Sequence, residues 1–467
     1  MKRWISSVIA GGIGMFIATQ PLGLTLGLLI GVAVVLLGMI TPISILGILL
    51  ILSPMKTLIA TEAPLHLPID VGQIGFMAFV GFWSVNRIAI QKRLFNSQLF
   101  TSVHIPLLIY VIVLALSGFT AISIMDWVTE WFKWIIVLTI VVLIYHMRSN
   151  WEWIVFVLIA AGAGAAIIGI YTFLGGSGAD HLSINGRFFR AFGTFGQPNP
   201  FGGFMGLLAP IAIMMTLGYG WLLVTNHRFD YLFLIVFYAI SSLVITTALF
   251  MSWSRGAWLG FGISLLVVVF SFPRRLWLSF FLVIAFFSLV GIAWFSGKLP
   301  TSITERISSA TTDLFVLYDV RAVDITPENY PIVERLAHWQ AAINMTQHNP
   351  WLGVGIGNYD AAYETYRLIN WDKSLGHAHN YYLNVLAETG IIGLAAYAAL
   401  FMGMIWIAWR TRTRHPDIIA RCFVVGFLGM CAYLLTHSLT DNLYVNNIFM
   451  HLGVMFGVLA GLHHEVI

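Results

Sequence analysis

"GAWLGFGISLLVVVFSFPRRLWLSFFLVIAFFSLVGIAWFS", residues 256–296, holds two apolar runs, and its only charges are Arg274 and Arg275 between them. An α-helix rises about 1.5 Å per residue, so a hydrocarbon core of about 30 Å asks for about 20 apolar residues. The runs 256–272 and 276–296 are close to that length, and neither contains an ionisable group. They read as two helices that cross a membrane and turn at "FPRR".

The same pattern recurs along the chain. Spans are expected near 4–19, 22–40, 42–53, 71–86, 104–121, 132–147, 152–174, 200–217, 231–250, 256–272, 276–296, 384–409, 417–436 and 447–463. Composition agrees: 59% of the 467 residues are hydrophobic, 9% are charged and the mean hydropathy is +0.87. A soluble domain carries about 25% charged residues, so a soluble fold is excluded. The fold class is an all-α polytopic membrane protein of twelve to fourteen spans, with residues 1–467 forming one membrane domain. The first span follows Lys2 and Arg3 and lacks an A-x-A site, so it reads as a retained anchor rather than a cleaved signal. Cys422 and Cys431 lie nine residues apart in one expected helix, on nearly opposite faces, which argues against a disulfide.

With the N-terminus in the cytoplasm, the inner connections hold 13 basic and four acidic residues, and the other side holds 11 basic and 16 acidic. This asymmetry obeys the positive-inside rule and places both termini in the cytoplasm. One outer connection dominates, from about Gly297 to Asn380. Within it, "PIVERLAHWQAAINMTQH" has apolar positions 332, 333, 336, 339 and 343 behind Pro331, so an amphipathic helix is expected over 332–348. It should pack over the site through Val333, Leu336 and Ile343. "GVGIGN" (353–358) follows no strand and opens no nucleotide-binding unit, so it reads as a tight turn.

Arginines on the outer side stand out because short outer loops should lack them. Arg187 and Arg190 lie in "NGRFFRAFGTFGQPNPFGG" (185–203), Arg255 in "SWSRGAWLG" (252–260) and Arg335 in "VERLAHW" (333–339). A guanidinium keeps its charge and offers a planar fork that fits phosphate oxygens. Any one alone also fits an interfacial side chain resting on lipid phosphate, and for Arg187 that plainer reading is preferred. Arg255 fits it least, because it sits between two long spans in a connection of about five residues. His377 and His379, in "GHAHNYYLNVLAETGIIG" (376–393), stand just before a helix, where an imidazole can take a proton near neutral pH. His181, His338 and His348 read as ordinary loop histidines. No D-x-D and no histidines at i, i+4 point to a metal, and nothing asks for a cofactor or nucleic acid.

"RAFGTFGQPNPFGGFM", "SWSRGAWLGF", "RLAHWQAAINMTQHNPWLGVGIGNY" and "HNYYLNVLAETGIIG" together resemble the O-antigen ligase and O-antigen polymerase superfamily of bacterial envelope enzymes. His379, Asn380, Gly390 and Gly393 fit its H-[NSQ]-x9-G-x-x-G pattern. The resemblance implies a metal-independent, inverting glycosyltransferase of the inner (cytoplasmic) membrane, active on the extracytoplasmic side. It would move a glycan from undecaprenyl diphosphate to a hydroxyl of an acceptor glycan or glycolipid. His379 would be the catalytic base, Arg190, Arg255 and Arg335 would bind the donor diphosphate, and Arg187, His377 and Asn380 would support them. Protein O-oligosaccharyltransferases share the pattern. A transporter of small anions is the rival from another class, but it would want ionisable residues near the bilayer midplane.

Overall fold

The computed structural model describes residues 41–62, 70–91, 101–176, 180–184, 186–226, 229–297, 304, 319–326 and 329–467. The expected spans 4–19 and 22–40, with the anchor reading of the first, lie outside these residues. Each of the other twelve expected spans falls on a helix. The described helices are α1 Pro42–Leu52, α2 Lys56–Glu62, α3 Val71–Gln91, α4 His104–Leu116, α5 Ile124–His146, α6 Trp151–Tyr171, α7 Pro198–Asn226 and α8 Leu232–Met251. They continue with α9 Arg255–Ser271, α10 Leu276–Phe295, α11 Tyr330–His348, α12 Tyr359–Tyr366, α13 Tyr381–Arg414, α14 Ile418–His437 and α15 Ile448–His464. Eight described helices are long and apolar enough to cross a membrane, and three shorter apolar ones, His104–Thr120, Arg255–Ser271 and Ile448–His464, lie among them. This is an all-α polytopic membrane protein. One short hairpin, β1 Ser183–Ile184 with β2 Phe188–Phe189, pairs antiparallel with Ser183 opposite Phe189.

The helices differ in how much of their surface they hide. The apolar stretch of α14 is 78% buried, whereas that of α10 is 6% buried. α14 is therefore an inner helix, packed on α7 and α9, and α10 turns its phenylalanines outward where lipid would lie. Lipid tails are as apolar as Leu, so close packing of small residues must hold such a bundle together. α15 meets α5 through Gly453 and Gly457, one turn apart, and Gly461 abuts Arg148 just past the end of α5. A Cβ at Gly457 would come within 2.5 Å of Ile144. Both cysteines are free and buried in α14.

α13 runs longer than the expected 384–409 and is broken. Gly390 sits inside it at φ 65 and ψ −168, a region open essentially to glycine alone. The break exposes backbone groups that need partners. The "GVGIGN" turn supplies them: Val354 N donates to Ala387 O at 3.0 Å, Gly355 N to Glu388 O at 2.9 Å, and Ile391 N to Pro350 O at 2.8 Å. The same turn reaches α5, where the Asn358 Oδ1 accepts from Ser123 N at 2.5 Å.

The large connection contributes α11 and α12. The expected 332–348 helix starts two residues earlier, at Tyr330, and Val333 and Leu336 are buried as expected. Ile343 is only half-buried. The packed face instead runs through Ala337, Ala341, Ala342 and Met345, because small residues let α11 lie closely against α13 and α12. The chain crossings alternate, so one end of the bundle, here the loop end, carries this connection.

Candidate active site at the loop end

The two histidines are placed by a cap. Asn380 is the N-cap of α13, its Oδ1 accepting from Tyr382 N at 3.0 Å and Leu383 N at 3.2 Å. Asn384, one turn on, accepts from Ala378 N at 3.1 Å. Tyr381 N donates to Ser438 O at 2.8 Å, which ties this segment to the loop after α14. Asn380 is thus a structural cap that aims the histidines. His379 takes a left-handed backbone, φ 51, which costs on the order of 1 kcal/mol and is held by those bonds. Trp253, Asn446 and Asn447 share that conformation. All four positive-φ non-glycine residues among the described residues lie at the loop end.

The loop after α14 brings in Asp441, 4% exposed. Its Oδ1 lies 3.7 Å from His379 Nδ1 and 3.8 Å from His377 Nε2. The imidazole rings are 4.3 Å apart between centroids. His379 N donates to His377 Nδ1 at 3.0 Å, so in a neutral His377 the proton sits on Nε2, toward Asp441. Burial pushes His377 down to about 4, with His379 adding to the effect and Asp441 opposing it. Burial alone would raise the Asp441 carboxyl, but the surrounding His379, His377 and His437 hold it well below the usual range. A carboxylate beside imidazoles is the arrangement that steadies an imidazolium once it forms. The donor atoms of His377, His379 and Asp441 lie within 4.8 Å of one another and could also hold one metal ion, a grouping invisible to sequence spacing because Asp441 comes from another loop.

The arginines gather nearby. The hairpin delivers Arg190, whose backbone N donates to Leu182 O at 2.9 Å. Its Nε donates to Ser252 O at 3.1 Å and its Nη2 to Asn199 Oδ1 at 3.0 Å. Ser252 begins the turn before α9. Ser254 caps that helix, its Oγ accepting from Ala257 N at 3.4 Å. Arg255 is therefore the first residue of α9, where the helix dipole adds positive potential. Gly256 next to it abuts Thr440 and His437 so closely that a Cβ would come within 2.1 Å of the Thr440 Oγ1. Arg335, half-buried on α11, acts electrostatically on His437. The segment 437–441 thus touches the Arg255 turn at one end and the histidine pair at the other. Arg187 stays exposed at the hairpin tip, over the Phe188 ring at 5.2 Å, and no contact draws it to the cluster.

Between α8, α9 and α10 lies an apolar groove of about 900 Å³, lined by residues such as Phe250, Trp258, Phe261 and Phe287, with Arg255 among its walls. Arg255 thus stands in the wall of an apolar groove, while the imidazole–carboxylate pair adjoins the segment that packs on its helix start.

Residues 240–398 match the O-antigen ligase family. The match takes in Arg255, Arg335, His377, His379 and Asn380, while Arg190 and Asp441 lie outside it. The chain is also similar to the "Teichuronic acid biosynthesis protein TuaE" of Bacillus subtilis (strain 168), 24% identical over 111 residues. That segment spans 24% of this chain and 22% of the relative's length. Reading the sequence missed Asp441. The available signal was a carboxylate placed in the short connection between the last two spans.

Proposed function

We propose that the chain is an inverting glycosyltransferase that moves a glycan from undecaprenyl diphosphate to an acceptor hydroxyl on the extracytoplasmic face of the cytoplasmic membrane. The end opposite the loop carries Arg87, Arg148, Arg274, Arg275, Arg410 and Arg414, so the positive-inside rule turns the loop end outward. The observation that carries the reading is the meeting of three parts: the apolar groove ending at Arg255, the neighbouring Arg190, and the His379–Asp441 pair.

In this mechanism the polyprenyl chain lies in the groove and its diphosphate meets Arg190, Arg255 and Arg335. The acceptor oxygen attacks the anomeric carbon from the side opposite the phosphate. A carbon–oxygen bond forms, the bond from that carbon to the phosphate oxygen breaks, and undecaprenyl diphosphate leaves with the electron pair. The proton of the acceptor hydroxyl passes to His379 Nε2, since Nδ1 faces Asp441. Asp441, already ionised, stabilises the imidazolium, and the fixed guanidinium groups meet the charge on the leaving group. His377 supports the same carboxylate from its other side. The polysaccharide role in the relative's name accords with this reading. Repeat-unit polymerisation and ligation to a terminal acceptor use the same step.

The test is transfer in proteoliposomes loaded with undecaprenyl-diphosphate-linked glycan, read as release of undecaprenyl diphosphate and growth of the acceptor. Wild type is expected to transfer and His379→Ala to fail while still binding donor. Absence of transfer across a panel of glycan donors, with anion flux in its place, would overturn the reading in favour of a transporter.

A further inference from the structure

A second cavity, lined by other residues than the apolar groove, lies beside His377. It measures about 210 Å³, and His377 forms part of its wall. Three parts of the chain that are remote in sequence enclose it: α5 with Glu130 and Lys133, the start of α13 with Tyr381, Asn384 and Glu388, and the 442–445 loop with Asn442 and Tyr444. Ile356 and Gly357 of the "GVGIGN" turn close one side.

We propose that this cavity is the subsite for the sugar ring that carries the attacking hydroxyl, an uncharged saccharide of the acceptor. The inference deepens the transferase reading and rests on it. Four observations carry it. The cavity has room for about one sugar ring and offers two kinds of wall, as a sugar has two kinds of surface. Tyr381 and Tyr444, stacked at 4.4 Å, present aromatic surface, and the carboxylates, amides and ammonium present both donors and acceptors. The Tyr110 hydroxyl, on a side chain with no exposure, lines the cavity beside Tyr381 and offers it one more polar group. The charges are wrong for an anion: Lys133 is already paired with Glu130 at 2.5 Å, and Glu388, 6% exposed, accepts from Tyr359 N at 3.1 Å. A phosphate or uronate would meet two acidic side chains and one ammonium already paired with Glu130. Finally, His377 in the wall stands 4.3 Å from the His379 ring, which puts the cavity one imidazole away from the base.

Trp134 reports on the cavity from beneath, 4.6 Å from the Tyr110 ring and 5.3 Å from Tyr444. The full chain in lipid nanodiscs is titrated with methyl glycosides of neutral hexoses and N-acetylhexosamines, with glucuronate and inorganic diphosphate as controls. The signal is the fluorescence lost in Trp134→Phe. A saturable change with at least one neutral glycoside and none with the anions is expected. The pair Glu130→Gln and Lys133→Met, both on half-buried positions of one helix face, should weaken that binding by about tenfold or more, with binding of undecaprenyl diphosphate unchanged. If no neutral glycoside saturates the signal, if glucuronate binds as well, or if the variant binds as wild type does, the proposal falls. Sugar binding without transfer in wild type would instead overturn the transferase reading and leave a saccharide site. Transfer with an acceptor KM unmoved by the variant would leave the transferase reading and remove the subsite.

Discussion

His379 and Asp441 divide one task between two loops. In the proposed mechanism the imidazole faces the reacting atoms, and the carboxylate lies 3.7 Å from its Nδ1. A general base contributes typically 10²–10⁴-fold, so His379→Ala is expected to lower transfer by about that factor without loss of donor binding. His377→Ala should be milder, because His377 supports the carboxylate and the cavity wall without itself taking the proton. Asp441→Asn should cost about 10²-fold or more, because an amide leaves the imidazolium unsupported. Full activity in Asp441→Asn, measured by release of undecaprenyl diphosphate, would remove it from the mechanism. His377 also sets a stability slope. An unfolded histidine titrates near 6.5, and the folded one is pushed down to about 4 by burial. It faces Asp441 and His379 on one side and Glu130, Lys133 and Glu388 across the cavity. Between those two values the unfolded chain binds a proton that the folded chain refuses, so stability is fully present above about pH 6.5 and falls as pH drops toward 4. At pH 5 the loss is on the order of 1–2 kcal/mol. Thermal unfolding in detergent at pH 5 and 7.5 reads it, and His377→Gln should flatten the difference.

Among the elements, α13 and α9 do the positioning. The G-x-x-G of the histidine motif proves to be a helix break that accepts the "GVGIGN" turn, which explains why glycines stand far down the helix from the histidine. Gly390→Ala is expected to be severe. A Cβ there would come within 2.3 Å of the Trp351 backbone, at a φ that alanine resists. The turn should detach, with a loss of about 3 kcal/mol or more. Limited proteolysis would show faster cleavage within 350–358, and unchanged cleavage would mean the break has slack. For α9, Arg255→Lys keeps the charge at the helix start but loses the planar fork. Donor affinity should fall by about tenfold, with turnover at saturation less affected. A binding isotherm of undecaprenyl diphosphate equal to wild type would place Arg255 outside the donor site.

At the scale of the molecule, the inner helices α7, α14 and α15 are held by close contact rather than by charge. The Gly453–Gly457 pair lets α15 approach α5, and α5 in turn carries Glu130 and Lys133 to the second cavity. Gly457→Leu would drive a side chain into Ile144, with an expected cost of about 1–3 kcal/mol. Because the site is built from several helices, transfer should decline together with the unfolding temperature. A variant as stable as wild type would show that the α5–α15 contact can relax without cost.

Hydropathy and charge alone determine the all-α membrane architecture, because apolar length against bilayer thickness and arginine asymmetry are local properties of the chain. Twelve of the expected spans fall on described helices for that reason. The loop helix was legible from its Pro331 start and apolar period, although Ile343 was assigned to a packed face that small alanines occupy. Arg190, Arg255, Arg335 and His379 could be named singly, from residue type and from a spacing that resembles a known pattern. That they meet, and that Asp441 completes the histidine pair, depended on the tertiary structure. The residues are separated by up to about 250 positions in the chain, and contacts such as the packing of Gly256 against the 437–440 loop, the Arg190–Ser252 hydrogen bond and the Tyr381–Ser438 hydrogen bond bring their segments together.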